Sequence, residues 1–303
     1  MRRIALLTIA VGLFVSSSVA PSHATVYQSF ISSTGNDANS CSRTSPCLTL
    51  AGAIANTQPG GEVKCIDVPG PLGNPVTITQ SVEINCSGVE ATFFHGAAPG
   101  IVINLNTNDV LQTVRLRGLS LNGAFVGARG ISIVAAKTVI LENMEITAEV
   151  GQGIADVRTT GGLLVIKNSL IAKTVGAGIA IAATGGPHGA TLENLRSFSN
   201  GFGLDVGSGN NVMVIGSALS GNSVSGVEID SGGQVALNNS IVNFNPTGLQ
   251  NSGFLTLTGS TISFNNTAVI GPSMSFGDNR IFGNSSPGTA PTLGAASTDH
   301  SKQ

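Results

Sequence analysis

Tryptophan is absent from the 303-residue chain and tyrosine occurs once, at Tyr27. The aromatic rings that stack on sugars, bases or cofactors are therefore scarce. Charge is thin as well: 14 basic and 16 acidic residues leave a net charge of −2. A sparse, slightly acidic surface excludes nucleic acid and anionic membranes as partners. Four histidines, of which His95, His188 and His300 lie beyond the N-terminal leader, show no metal-ligand spacing, which argues against a zinc site. Helical periodicity between the apolar segments is missing too, so leucine-rich repeats and helical arrays are excluded.

One apolar run stands out, Ile4 to Val15. It follows Met1-Arg2-Arg3 and precedes small residues ending at Ser22-His23-Ala24. A positive start, a short apolar stretch and a small-x-small site describe a secretory signal peptide over 1–24, too short to serve as a membrane span. With Arg2 and Arg3 removed from 14 basic residues, 12 remain against 16 acidic ones, a net charge of −4. The expected location is extracellular or periplasmic, with no membrane span in the mature protein. Four cysteines in an exported chain imply two disulfides. Three pairings are formally open. Cys41–Cys47, closing a small loop, and Cys65–Cys86, about one repeat apart, suit the geometry best.

What is present in abundance is a repeat. The pairs Gly130-Ile131, Gly153-Ile154, Gly178-Ile179, Gly203-Leu204, Gly226-Val227 and Gly248-Leu249 are separated by 23, 25, 25, 23 and 22 residues. A second column runs beside the first: Gly118, Asn143, Asn168, Asn194, Gly216, Asn239, Gly259. Aliphatic residues recur four and two before its members, as Val139 and Leu141 do before Asn143, and three after, as Ile146 does. Alternation at period two marks strands with one buried face. Gly, Asn and Ser crowd the joints, where tight turns need positive φ. Short strands stacking on their own next repeat, about 4.8 Å away, give a single-stranded parallel β-helix. The Asn column reads as an inward ladder of stacked amides.

The reading divides the chain into signal peptide 1–24, N-terminal cap 25–60, β-helix 61–284 with roughly ten coils at the repeat period, and a disordered tail 285–303. In the cap, Ser45-Pro46 reads as a helix start, with Leu50, Ala53 and Ile54 on one face. Such a short helix covers the open solenoid end. Pro69, Pro71 and Pro75 mark a loop leaving the barrel.

The run Gly35-x-Asp37, Pro46-Cys47-x-Thr49, Ala53-Ile54 before Gly60-Gly61-Glu62-Val63, with the repeats that follow, resembles secreted bacterial right-handed parallel β-helix proteins of the pectin-lyase-like superfamily. The resemblance covers about residues 28–285. It implies an all-β, right-handed parallel β-helix with a short capping helix. It leaves activity open, since the superfamily spans lyases, hydrolases, epimerases and adhesins.

Two residues after each glycine of the first column, facing outward, come Ser132, Ala155, Ala180, Asp205, Glu228 and Gln250. Asp205 and Glu228 thus stack on neighbouring coils, with Asp230 on the same face. Like charges so close raise one pKa or recruit a cation. Asp205, Glu228 and Asp230 could hold Ca²⁺ through oxygen ligands. At about 5 Å, a carboxyl pair also suits the acid and nucleophile of a retaining glycosidase. Arg196 is the candidate base or substrate clamp. In pectate lyases, which the chain resembles in fold, an acidic calcium cluster works with a nearby Arg or Lys, and Asp205, Glu228, Asp230 and Arg196 approximate that set without matching a motif. Of the polygalacturonase motifs only Asn106-Thr107-Asn108-Asp109 approximates the first, and Gly201 to Asp205 only faintly resembles the alginate epimerase signature.

Other polar residues read as structural. Arg117, Glu142, Lys167 and Glu193 form a salt ladder. Asp156 falls in an inward phase, and a bulge that turns it outward is favoured over pairing with Arg158. His188 reads as a solvated loop residue. The reading is an exported β-helix, monomeric, that contacts extracellular or envelope polysaccharide through a flat strand face. The alternative is a calcium-assisted lyase or epimerase on uronate polymers.

Overall fold

Short strands, most of them too short to be stable alone, stack parallel on the strand one coil further along, so that Leu116, Leu141, Ile166, Leu192, Val214, Leu237 and Leu257 form one inward file. A computed structural model describes residues 25–67, 75–89 and 92–294. The expected signal peptide, 1–24, and the expected loop at Pro69 and Pro71 lie outside the described residues.

Each coil presents three faces. The long sheet holds twelve parallel strands, from Val26–Ile31 to Thr292–Leu293. The short-strand face is built from three-residue strands such as Leu170–Ala172, Arg196–Phe198, Ala218–Ser220 and Ile241–Asn243. The glycine face follows, with Ala177–Ile181, Phe202–Val206, Ser225–Ile229 and Thr247–Asn251. In Ser120–Ala135 and Glu145–Asp156 the last two faces run on as one bent strand. The core is a stack of fully buried aliphatics from all three faces, for example Leu141, Ile146 and Ile154 within one coil. The glycine column has a packing cause: a Cβ on Gly203 would meet the carbonyl oxygen of Gly226 at 2.5 Å.

The second column behaves differently from the sequence reading. Asn143, Asn168, Asn194 and Asn239 are exposed, with φ between 48 and 54°. They occupy the sharp corner between the long sheet and the short-strand face, where only Gly and Asn take the left-handed conformation at low cost. One amide pair bonds there, Asn194 Nδ2 to Asn168 Oδ1 at 2.8 Å. The inward asparagine ladder exists at the next corner. Asn222 Nδ2 donates to Asn245 Oδ1, Asn245 Nδ2 to Asn265 Oδ1 and Asn265 Nδ2 to Asn284 Oδ1, each at 3.0 Å. Beside the exposed column an inward serine file, Ser217, Ser240 and Ser260, accepts backbone N–H groups of the preceding coil.

The cap helix spans Leu50–Asn56 and buries Leu50, Ala53 and Ile54. Its N-cap is Thr49, whose hydroxyl accepts from Gly52 N at 3.0 Å. Ser45 instead closes a small bridge with Ser42, and Asp37 holds the Thr49 hydroxyl at 2.7 Å. The disulfides are Cys41–Cys47 and Cys65–Cys86. At the other end the coil continues past residue 284: Ser286–Gly288 and Thr292–Leu293 pair in parallel with the preceding coil, so residues 285–293 belong to the solenoid. The salt ladder is present in part. Arg117 bridges Glu83 and Glu142, and Lys167 bridges Glu193 at 3.0 Å. These exposed pairs each contribute about 0–1 kcal/mol.

Candidate functional site

On the glycine face Asp205 stands in register with Ala180 on one side and Glu228 on the other, and Glu228 with Gln250. Strand alternation turns all of them outward, while Leu204 and Val206 fill the core. Glu228 accepts from Gln250 Nε2 at 2.9 Å and from the Ser225 hydroxyl at 3.2 Å. Burial raises the Asp205 pKa, and the charge of Asp230 adds to it. Burial also raises Glu228, reinforced by Asp205 and Asp230 and opposed by the bonds from Ser225 and Gln250. Asp230 is exposed, just past the strand Ser225–Ile229. Among the described residues, no group of three or more His, Cys, Asp or Glu side chains is placed to hold a metal ion.

The raised Asp205 carries a sign. A carboxyl whose folded-state pKa lies above its unfolded value supports the fold fully below that unfolded value, near 3.9. That support is lost as pH rises through the folded-state value. Asp205→Asn is therefore expected to melt higher than the wild type at pH 7 and to match it below about pH 4. Melting curves across that range check it; a variant that melts lower at pH 7 contradicts the assignment.

Arg196 is not brought to these carboxylates. It stands on the short-strand face, in register with Leu170 and Ala218, its guanidinium 5.9 Å from the centre of the Phe198 ring. There it lines a cleft of about 460 Å³ with Phe198, Gly221, Asn243 and Phe244. Beyond the cleft lies an aromatic row absent from the sequence reading. Phe244 and Phe264 stack with ring centres 5.6 Å apart and planes 11° from parallel, and Phe282 meets Phe264 edge-on. Its signal was legible: Asn243-Phe244-Asn245 and Ser263-Phe264-Asn265 repeat one coil apart.

No protein-family model matches the sequence, and no curated protein matches it. Solved structures do. Pectate lyase Pel9A superposes with a TM-score of 0.54 at 15% identity, over 90% of this chain and 80% of that one. The A-module of the mannuronan C-5 epimerase AlgE4 from Azotobacter vinelandii gives 0.51 at 13%, over 78% and 91%. The fold is the right-handed parallel β-helix that these solved structures share.

Within this β-helix several polar groups outside the glycine face serve the coil itself. Asp156 is fully buried, in register with Ile133 and Ile181, so no bulge turns it outward. It pairs with Arg158 Nη2 at 2.6 Å and with His188 Nε2 at 3.0 Å. His188, expected to be solvated, is buried as the first residue of the strand His188–Glu193. Burial pushes the Asp156 carboxyl up, but His188 and Arg158 outweigh it and hold it below its ordinary value. Asp109 of the polygalacturonase-like tetrapeptide folds a turn, accepting from the Ser81 hydroxyl at 2.7 Å and from Gln112 N at 2.9 Å. A second buried pair went unnoticed in the sequence because its members lie 54 residues apart. His95 Nε2 meets Glu149 Oε1 at 2.9 Å, and His95 Nδ1 faces the carbonyls of Gly96 and Ala98. Burial pulls this imidazole down, yet Glu149 and the carbonyls carry it above its ordinary value. The β-helix of this chain carries two disulfides, which fit an oxidising compartment. Among the described residues no helix is long and apolar enough to cross a membrane.

Proposed function

We propose that the protein is exported and binds a polysaccharide of the extracellular matrix or cell envelope along its glycine face. The observation that carries this reading is the outward file Asp205, Glu228, Gln250, in which carboxylates and an amide repeat once per coil on a flat surface. A pyranose unit is about as long as one strand spacing. Successive rungs therefore meet hydroxyls of successive sugars with hydrogen-bond acceptors already fixed by the sheet. The structural neighbours, a pectate lyase and a mannuronan epimerase, support the ligand class.

A second reading has its own observation. Burial and then the charge of Asp230 raise Asp205, and burial with the charges of Asp205 and Asp230 raises Glu228, an electrostatic conflict that a divalent cation relieves. These three carboxylates are not grouped to hold a metal ion by themselves. Calcium at Asp205 and Glu228 would therefore need further oxygen ligands from the polymer, and with it the protein would act on uronate polymers as a lyase or epimerase. Arg196 stays on the neighbouring face, so a base for that reaction would have to come from elsewhere.

Electrophoresis of the mature protein through gels containing pectate, alginate or a neutral glucan tests both. Retardation is expected in at least one gel without new reducing ends, and Asp205→Ala/Glu228→Ala should migrate freely. Migration unchanged in every gel would sink the binding reading. The enzyme reading requires unsaturated product, or altered uronate epimer ratios, that appear with calcium and vanish with chelator.

A further inference from the structure

The corner after each short strand is held by one residue in the left-handed region. Along successive coils this residue is Lys173, Ser199, Gly221, Phe244, Phe264 and Gly283. Phenylalanine at φ 58° and 56° is a poor choice for such a corner, which glycine or asparagine fill without steric cost. Both rings are also exposed, by 61% and 51%, so core packing does not account for them. Strained and exposed aromatics of this kind point to a binding role.

The row has a missing rung. Phe244 lays one ring face on Phe264, on the C-terminal side. On its N-terminal side stands Gly221, where an added Cβ would meet nothing within 4 Å. Phe198 and Arg196 close the far side of this gap, one coil before Gly221. Their coil and that of Phe244 are two strand spacings apart, about 9.5 Å. That distance admits one ring, at contact distances of about 3.5–4 Å on either side. Ser220 and Asn243, pointing outward in register, supply polar groups along the floor.

Charge selects among rings. No acidic side chain lines the cleft, Arg196 is exposed at one wall, and Lys173 lies one coil before Ser199. We propose that the gap at Gly221 is a second binding site, separate from the glycine face, which takes one anionic sugar ring of a glycan: its C–H face rests on Phe244 and its acidic group pairs with Arg196. The ligand class rests on the polysaccharide reading above; the location does not.

Calorimetric titration of the mature protein with tetragalacturonate in chelator tests this, with a neutral cellotetraose and benzoate as comparisons. Tetragalacturonate is expected to bind, Arg196→Gln to weaken it roughly tenfold through loss of one charge-assisted contact, and Gly221→Phe to abolish it by completing the row. Gly221→Asn, which keeps the left-handed corner and adds little bulk, should retain binding and controls for misfolding. Asp205→Ala, which can affect only the glycine face, should keep the binding event that Gly221→Phe removes. Wild-type binding in Gly221→Phe overturns the proposal, as does benzoate or the neutral tetrasaccharide binding as tightly as the acidic one. Loss in Asp205→Ala with Gly221→Phe and Arg196→Gln intact places the ligand on the glycine face: it overturns this site and supports the earlier reading. No binding by any form overturns this site and leaves the glycine-face reading to the gel test.

Discussion

Replacing Asp156 by alanine is expected to destabilise the fold by about 3–5 kcal/mol, because it strands a buried cation. Arg158 has no exposed surface. Its guanidinium loses two bonds to the carboxylate, Nε to Oδ1 at 2.9 Å and Nη2 to Oδ2 at 2.6 Å, and keeps backbone carbonyls, chiefly Ala136 O at 2.9 Å, and a long contact to His188 Nε2 at 3.5 Å. His188 Nε2 loses its 3.0 Å contact with the carboxylate in the same step. The double variant Asp156→Leu/Arg158→Met removes both charges together and should cost much less, since buried pairs replaced by apolar groups are often near neutral. Denaturant midpoints of the two variants make the comparison. An Asp156→Ala variant within about 1 kcal/mol of wild type would show that water or a shift of Arg158 relieves the charge. The pair also has an acid limb. A carboxyl with a lowered folded-state pKa stabilises fully above its unfolded value near 3.9, and the contribution is lost as pH falls through the lowered value.

Asn245→Ala is the second large effect, expected at about 2–3 kcal/mol from buried hydrogen-bonding groups left unmade. Its side-chain oxygen accepts from both Asn222 N and Asn222 Nδ2, and its amide donates to Leu219 O and Asn265 Oδ1. The alanine leaves the buried Asn222 N–H without an acceptor between two coils. Asn239→Gly is the matching control. Asn239 is exposed at φ 48°, a conformation glycine adopts freely, so its replacement should change stability by less than about 0.5 kcal/mol. Equal losses in the two variants would contradict the assignment of the inward ladder to Asn222, Asn245 and Asn265.

Those two asparagines show how far a sequence column carries. Asn239 belongs to the conspicuous file with Asn143, Asn168 and Asn194, and periodicity alone assigns that file to a corner. Whether a corner side chain points inward depends on φ at that residue, which spacing does not encode. Positive φ swings these amides out to solvent, while Asn245, in a less regular file, points in.

The candidate site divides the same way. The pairing of Asp205 with Glu228 was legible because strand register converts a 23-residue separation into adjacency. The separation of Arg196 from both was not. It depends on which side of a corner a residue falls, and the segment between Arg196 and Asp205 contains such a corner, at Ser199. Asp156, Arg158 and His188 were each visible, but their burial was not, because the sequence shows that an inward charge is costly and not that a partner arrives from the next coil.

By itself the sequence determined the repeat, the parallel stacking, the aliphatic core files and the need for a cap, since each follows from periodicity, and it favoured the two disulfides among three possible pairings. The tertiary structure alone decided which polar residues are buried, which face Arg196 occupies, and that the phenylalanine row stops at Gly221. Those outcomes depend on backbone dihedrals at corners and on contacts between coils, where a single left-handed residue reverses the direction of a side chain.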